Sequence, residues 1–307
     1  MAAESFSANQ FLAFGMDILG VERWEFLKES SVIDRFTNAF GAKPITCAQM
    51  WADFIAMSEV DKKSKPKHLF ITLRFLYKND TELDLMSFFK IGSDNTIRKW
   101  CWCYVKKIQK LLKGKMLTWE ESDDGMIFFM TVDGTHCPIE EPRPFSKIWS
   151  SHKFGGDAGL NYEVGLSINK AKLIWLHGPT PPGLHNDLEV SREELLPKLR
   201  AYNETNTKEL RILADGIYEA EEEMDLISTK NEFDPHDIEE FKDRALSRQE
   251  KFNLFLKKWD VLSTLFRHDQ GDFLVAHRSC FEAITAICCY QLDNGSYSLF
   301  DPYPDPS

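Results

Sequence analysis

Residues 126–132, Met-Ile-Phe-Phe-Met-Thr-Val, form an almost unbroken apolar run that stops at Asp133-Gly134-Thr135-His136. A run this rich in aromatic and β-branched residues reads as a strand covered on both faces. It delivers a carboxylate to its own end, where ligands collect in open α/β sheets. A lone Asp-Gly is most often a turn, but the chain repeats the device. Residues 209–214, Glu-Leu-Arg-Ile-Leu-Ala, read as a short strand that ends at once in Asp215-Gly216, with Tyr218 close behind.

The chain has 307 residues, of which 43% are hydrophobic, enough apolar material for one large domain and a small one. It has no uncharged apolar stretch of about 18 residues, and its first residues lack the basic start and apolar run of a signal peptide. An intracellular protein with no membrane partner is therefore expected. The seven cysteines show no C-x-x-C spacing, and those at 101, 103, 280, 288 and 289 sit in apolar helical patterns. They read as reduced core residues. A net charge of −11 argues against a nucleic-acid partner, yet residues 61–115 hold fourteen Lys/Arg against five Asp/Glu, a local balance of +9. Such asymmetry marks the basic part as the candidate nucleic-acid contact.

Taken in order, residues 1–60 carry Trp24, Leu27, Ile33, Phe36 and Phe40 at helical spacing and form a helical N-terminal segment. A charged linker, Asp61 to Pro66, opens a second region over 61–118. The spacing predicts helices there over 67–78, 82–90 and 95–113, the last capped by Ser93 or Asp94. Two helices joined by a short glycine-containing turn, the second carrying Arg98, Lys99, Lys106, Lys107 and Lys110, have the outline of a helix-turn-helix DNA reader. The plain alternative is a basic, solvated helix in an ordinary bundle.

From residue 119 the pattern changes. Strands at 161–168 and 172–176 form a hairpin, and a helix over 189–202 follows with Asp187 as its cap. After the strand ending at Asp215 come ten Asp/Glu and one Lys between Glu219 and Glu240, read as a solvated loop or helix-loop. A long helix over 239–268 and an apolar helix over 273–292 that closes the core precede a proline-rich tail at 302–307. The resulting order, β-β-β-α-β-α, is ribonuclease H-like: a mixed sheet flanked by helices, with the first and fourth strands parallel neighbours. Asp133 and Asp215 then meet at one edge, and Glu250 on the long helix leans over the same point. Three converging carboxylates repel one another unless a divalent cation, held by their oxygens, compensates.

The residues also resemble a known family. Val132-Asp133-Gly134-Thr135-His136 with Pro138-Ile139, Lys153, Tyr162-Glu163-Val164, Gly178-Pro179 with Pro182-Gly183, and Asp187 occur in the order found in the endonuclease domain of PIF/Harbinger-type transposases. The match continues through Ala214-Asp215-Gly216 with Tyr218, Phe241-Lys242 with Arg244, Arg248-Gln249-Glu250-Lys251-Phe252-Asn253, and Phe266-Arg267-His268. It spans residues 126–301 and implies a DDE endonuclease domain over 119–301. The resemblance implies four metal ligands, Asp133, Asp187, Asp215 and Glu250, with Asp133, Asp215 and Glu250 catalytic and Mg²⁺ or Mn²⁺ as cofactor. It implies nicking of DNA at element ends and strand transfer to target DNA, a nuclear location, a separate Myb-like DNA-binding partner, and room for a homo-oligomer. Lys153, Arg248, Lys257 and Lys258 are the candidate phosphate contacts of this domain, beside Arg98, Lys99, Lys106 and Lys107 upstream. His136 and His185 flank the acids. The chain departs from the family at Gln249, where His is frequent, and at Leu254-Phe255, where a Gly-Arg pair is frequent. A domesticated DNA-binding protein with an idle site and a host DNA nuclease are the rival readings.

Overall fold

The structure, a computed structural model, describes residues 4–61, 63–122, 127–144, 146–170, 172–206, 209–219, 225–231, 234–268, 272–296 and 299. Met126 of the expected first strand, Ala171 of the hairpin turn, parts of the acidic stretch (220–224 and 232–233) and the tail lie outside the described residues. The helices α1 (Ala8–Ile18), α2 (Glu29–Phe40), α3 (Pro44–Ala56), α4 (Pro66–Lys78), α5 (Glu82–Phe89), α6 (Asp94–Leu111) and the single turn α7 (Trp119–Ser122) come first. The strands β1 (Phe128–Pro138), β2 (Gly159–Ser167) and β3 (Leu173–Thr180) lead into α8 (Asp187–Glu193), α9 (Leu195–Thr205), β4 (Arg211–Leu213) and β5 (Ile227–Ser228). The chain closes with α10 (His236–Leu256), the single turn α11 (Asp260–Ser263) and α12 (Phe273–Asp293). It divides into two compact units: residues 1–115, 256–264 and 268–298 form one, and the remainder forms the other.

The first unit is helical. The three helices of the basic region stand where the spacing predicts, and local signals explain their ends. Pro66 opens α4 and Asn79 closes it in the left-handed conformation, while Thr81 and Asp84 form a capping box for α5. Ser93 caps α6, its Oγ accepting from the Thr96 amide at 3.4 Å. The core is built of rings: Phe40 and Phe70 stack at 4.6 Å, with Phe11 and Phe36 edge-on to Phe70. Helix α12 packs here, against α6 and α3, rather than closing the core of the sheet as the sequence suggests. A helix apolar on nearly every face is buried, but its pattern does not name its surroundings. The expected helix over 239–268 stops at Leu256, because Trp259 leaves helical geometry to bury its ring beside Tyr77.

The second unit is built on a five-stranded mixed sheet of order β3-β2-β1-β4-β5. The pairs β1–β2 and β2–β3 are antiparallel, and β1–β4 and β4–β5 are parallel. The first and fourth strands are thus parallel neighbours, as the element order requires. On one face Leu195, Leu196 and Leu199 of α9 meet Met130, Val132, Ile212 and Ala214. On the other, Phe241 and Ala245 of α10 cover Phe128, Ile168 and Leu213.

Three details differ from the sequence reading. β1 continues through Asp133 to Pro138, because residues 133–138 pair in register with β2 from Val164 back to Gly159. Asp133 is therefore mid-strand, and it is β4 that ends. The single helix expected over 189–202 is two, broken at Glu194. Pro197 explains the break, since its ring would clash with the Glu193 carbonyl of a continuous helix. Within the acidic stretch Leu226 and Ile227 are buried in the sheet core and anchor β5, where the sequence predicts a solvated loop or helix-loop.

Candidate functional site

Thr131 of β1 pairs with Leu213, the last residue of β4. Asp133 and Asp215 each follow two residues later, so they lie abreast at the point where β4 ends and β1 carries on. Neighbouring strands run about 4.8 Å apart, and the Asp215 charge is one of those that raise the Asp133 carboxyl. Asp215 turns its Oδ1 to the Ile217 amide at 2.9 Å and caps the tight turn Gly216–Tyr218. Asp133 shares a face of β1 with Thr131, the face that α10 covers. Thr131 Oγ1 donates to Gln249 Oε1 at 2.9 Å, and Asn253 Nδ2, one turn further along α10, donates to Asp133 Oδ2 at 2.7 Å. Gln249, one of the departures from the family pattern, here fastens α10 to β1.

Asp187 arrives from the opposite face. Successive residues of a strand point to opposite sides, and a Cβ built on Gly134 would meet the Asp187 carboxylate at 2.5–2.6 Å. Only glycine lets that carboxylate lie directly on the strand. Asn161 Nδ2 donates to Asp187 Oδ1 at 2.7 Å, and His136 Nε2 stands 3.9 Å from the same oxygen. The other ring nitrogen of His136 is hydrogen-bonded with Ser151 Oγ at 2.7 Å. The helix cap expected at Asp187 is Asn186, whose side chain accepts from the Glu189 amide at 2.9 Å. Asp187 is the first residue of α8 and only 6% exposed.

The charges here are coupled. Burial first, then Asp215 and Asp187, push the Asp133 carboxyl up to about 6, against the pull of the Lys153 ammonium. Burial would raise Asp187 as well, but the His136 ring and Lys153 outweigh it and hold that carboxyl below its ordinary value. Lys153 is anchored by a 3.1 Å bond from Nζ to the Gly134 carbonyl. One further acid, absent from the expected ligand set, lies beneath these three: Glu163 of β2 is 1% exposed, and burial pushes it up to about 7. The unbroken alternation of residues 161–168 concealed it, since a glutamate there reads as an outward-facing position. Beside Lys153, a hollow of about 530 Å³ is lined by Lys147, Ser150, His152, Gly156, Pro182 and Gly183.

The remaining candidates are placed unevenly. Glu250 is exposed on α10, three residues before Asn253. Arg248, expected at DNA phosphate, is instead 7% exposed with Nη1 donating to the Ile168 carbonyl at 2.6 Å, because its place on α10 faces the sheet. His185 stands 3.5 Å from Glu193. Lys257 and Lys258 belong to the helical unit, where Lys257 Nζ donates to the Leu262 carbonyl at 3.3 Å and Lys258 is exposed. On α6, Arg98 pairs with Glu82 and Asp94 and Lys107 binds the Glu59 carbonyl, whereas Lys99 and Lys106 are exposed.

Three aspartates offer hard oxygen donors of the kind Mg²⁺ and Mn²⁺ prefer. Burial is the main reason the Asp133 carboxyl is raised, and the Asp215 and Asp187 carboxylates add a smaller part that a cation would offset. Among the described residues no three Asp, Glu, His or Cys side chains already stand together as an ion cage. The two faces of β1 explain this, since Asp187 reaches the site from one side and Asp133 faces α10 on the other. Among the described residues no helix is long and apolar enough to cross a membrane. The chain matches no family model, and comparison with curated proteins and with solved structures found no match.

Proposed function

We propose that the chain is a divalent-metal-dependent DNA endonuclease of ribonuclease H-like architecture, a DDE-type transposase like those of the PIF/Harbinger family. The observation that carries this reading is the register of β1 and β4, which sets Asp133 and Asp215 abreast. The strand order 3-2-1-4-5, with three antiparallel strands followed by parallel ones, agrees with it. Asp133 and Asp215 would hold Mg²⁺ or Mn²⁺, with Glu250 joining by swinging in from α10, while Asp187, the fourth expected ligand, reaches β1 from its opposite face and would join them only if α8 shifts. A cation so bound supplies Lewis-acid stabilisation of the scissile phosphate and lowers the pKa of the attacking water. Asn253 orients Asp133, and Asn161 and His136 orient Asp187. Lys153 stands ready to contact a DNA phosphate next to the acids, with the Lys147 and His152 hollow alongside. DNA is the partner this requires, bound in addition through exposed Lys99 and Lys106 of the basic region. Nuclear location and a Myb-like companion rest on the family resemblance alone.

The test is incubation of the purified chain with supercoiled DNA carrying its flanking repeats and Mn²⁺. Nicked circles with 3′-hydroxyl ends are expected, and none from Asp215→Ala. Nicking by the variant equal to that of the wild type overturns the reading. A second reading, a DNA-binding protein with an idle site, draws support from the exposure of Glu250 and from the Asn253 amide on an Asp133 oxygen. It predicts salt-dependent DNA binding with no metal-dependent nicking.

A further inference from the structure

We infer that Glu163 is a positioning residue, one buried carboxyl that ties together the three segments bearing Asp133, Asp187 and Asp215. Its consequence for cleavage rests on the proposed nuclease reading; its positioning role does not. Glu163 lies opposite Gly134, the residue after Asp133, in the β1–β2 ladder. Directly opposed residues of an antiparallel pair project to the same side, so Glu163 shares the face on which Asp187 meets Gly134. Its Oε1 accepts from Ser191 Oγ, one turn after Asp187 on α8. The same oxygen receives the Tyr218 hydroxyl at 3.5 Å, the long edge of hydrogen-bond range. Tyr218 ends the tight turn that the Asp215 carboxylate caps. Oε2 accepts from Trp175 Nε1 of β3 at 2.7 Å. Asn161, two residues earlier on the same face of β2, holds Asp187 itself.

Ser191 and Tyr218 are fully buried and Trp175 is 8% exposed, so these bonds form out of contact with water. Burying a carboxyl is unfavourable unless hydrogen bonds replace its hydration. For packing alone a valine or leucine would serve, since every residue of β2 is buried. An acid at this position is accounted for by what it fastens. The carboxyl reaches α8 through Ser191 and the 215–218 turn through Tyr218, while its own strand is zipped to β1.

The test uses the full chain, with hydrogen exchange read by mass spectrometry in parallel with Mn²⁺-dependent nicking. Ser191→Ala should speed exchange across residues 187–193 alone, and Tyr218→Phe across 215–219 alone. Glu163→Ala should speed both by about tenfold or more, as loss of buried hydrogen bonds to an acid implies. Glu163→Gln, whose amide can still bridge the hydroxyls and the indole, should stay within about threefold of the wild type. In nicking, Glu163→Ala should lower kcat about tenfold or more with KM for DNA unchanged, as for an interaction that matters only in the transition state, and Glu163→Gln should recover it. Uniform acceleration across the whole sheet unit, identical in the Ala and Gln variants, makes Glu163 an ordinary core residue and overturns the inference. So does an unchanged kcat in a variant whose two segments have loosened. Should Glu163→Ala fail to fold, wild-type exchange in both Ser191→Ala and Tyr218→Phe overturns it equally. A wild type that nicks nothing defeats the nuclease reading, while the exchange pattern still decides the positioning role.

Discussion

In the helical unit the deepest side chains are rings: Phe11, Phe36, Phe40, Phe70 and Trp51 are all at most 1% exposed. In the sheet unit four charged side chains among the described residues are buried as well, Glu163 as deeply as those rings. Glu163, Asp187, Lys242 and Arg248 are buried there, each held by hydrogen bonds, as Lys242 is by the Thr229 carbonyl and Asp234. Removing apolar surface from water stabilises by about 25 cal/mol per Å², whereas a buried charge contributes little net stability and has to be held by partners. Both units bury rings, and the helical unit also buries the imidazole of His277, but the buried carboxylates, lysine and arginine among the described residues are in the sheet unit.

The largest effect is expected in the sheet unit. Asp133→Ala or Asp215→Ala should reduce Mn²⁺-dependent nicking about a thousandfold or more, the scale seen when one member of a catalytic constellation is lost. DNA affinity, measured by fluorescence anisotropy, should change less than about twofold. Wild-type nicking by either variant would remove the functional half of the comparison.

Phe70→Ala tests the other half. It removes a ring in contact with Phe11, Phe36 and Phe40 and should cost about 3–5 kcal/mol, read by urea unfolding with hydrogen exchange of the α1–α4 peptides. A loss under about 1 kcal/mol would mean that the ring cluster does not hold the helical unit together.

The comparison sharpens with pH. Glu163 keeps its proton in the folded chain up to about pH 7, whereas its ordinary value is 4.5. The folded state therefore binds the extra proton between these limits, and the contribution to stability is full below about pH 4.5 and lost as pH rises through 7. Burial is the main cause of the raised carboxyl and Asp187 adds to it by repulsion, while the hydrogen bonds from Ser191, Trp175 and Tyr218 oppose it. Relative to Glu163→Gln, the wild-type sheet unit should lose about 1–3 kcal/mol across that window. Parallel stability curves for the two proteins would contradict this.

The smallest effect belongs to the basic face of α6. Reversing exposed Lys99 and Lys106 to Glu should weaken DNA binding at any sequence by about tenfold and lower the salt slope by about two. Arg98→Glu should act mainly on the fold, because Arg98 is paired with Glu82 and Asp94. Equal salt slopes for Lys99→Glu/Lys106→Glu and the wild type would make α6 an ordinary bundle helix.

Much of this was legible in the residues, for identifiable reasons. Helices α4 to α6 have apolar periodicity together with caps at Thr81 and Ser93, so pattern and local chemistry agree. The pairing of β1 with β4 follows from element order, and with it the meeting of Asp133 and Asp215. Less legible was everything set by long-range contact. The face from which Asp187 approaches depends on Gly134 lacking a side chain, and the destination of α12 depends on its partners. A peptide cut at 61–115 would lose α12 from the side of α6, so the basic region belongs in experiments as part of the whole chain. Glu163 was visible in the family-like motif Tyr162-Glu163-Val164, but its burial comes from Trp175, Ser191 and Tyr218, which lie 12 to 55 residues away.

The central claim is that Asp133 and Asp215 share a hard cation, and isothermal titration of the full chain with Mn²⁺ tests it most directly. Wild-type protein should show saturable binding that Mg²⁺ competes away, and the double variant Asp133→Ala/Asp215→Ala should show none while keeping its fold by circular dichroism. Identical titrations for the two proteins, or no saturable binding by the wild type, would contradict the account.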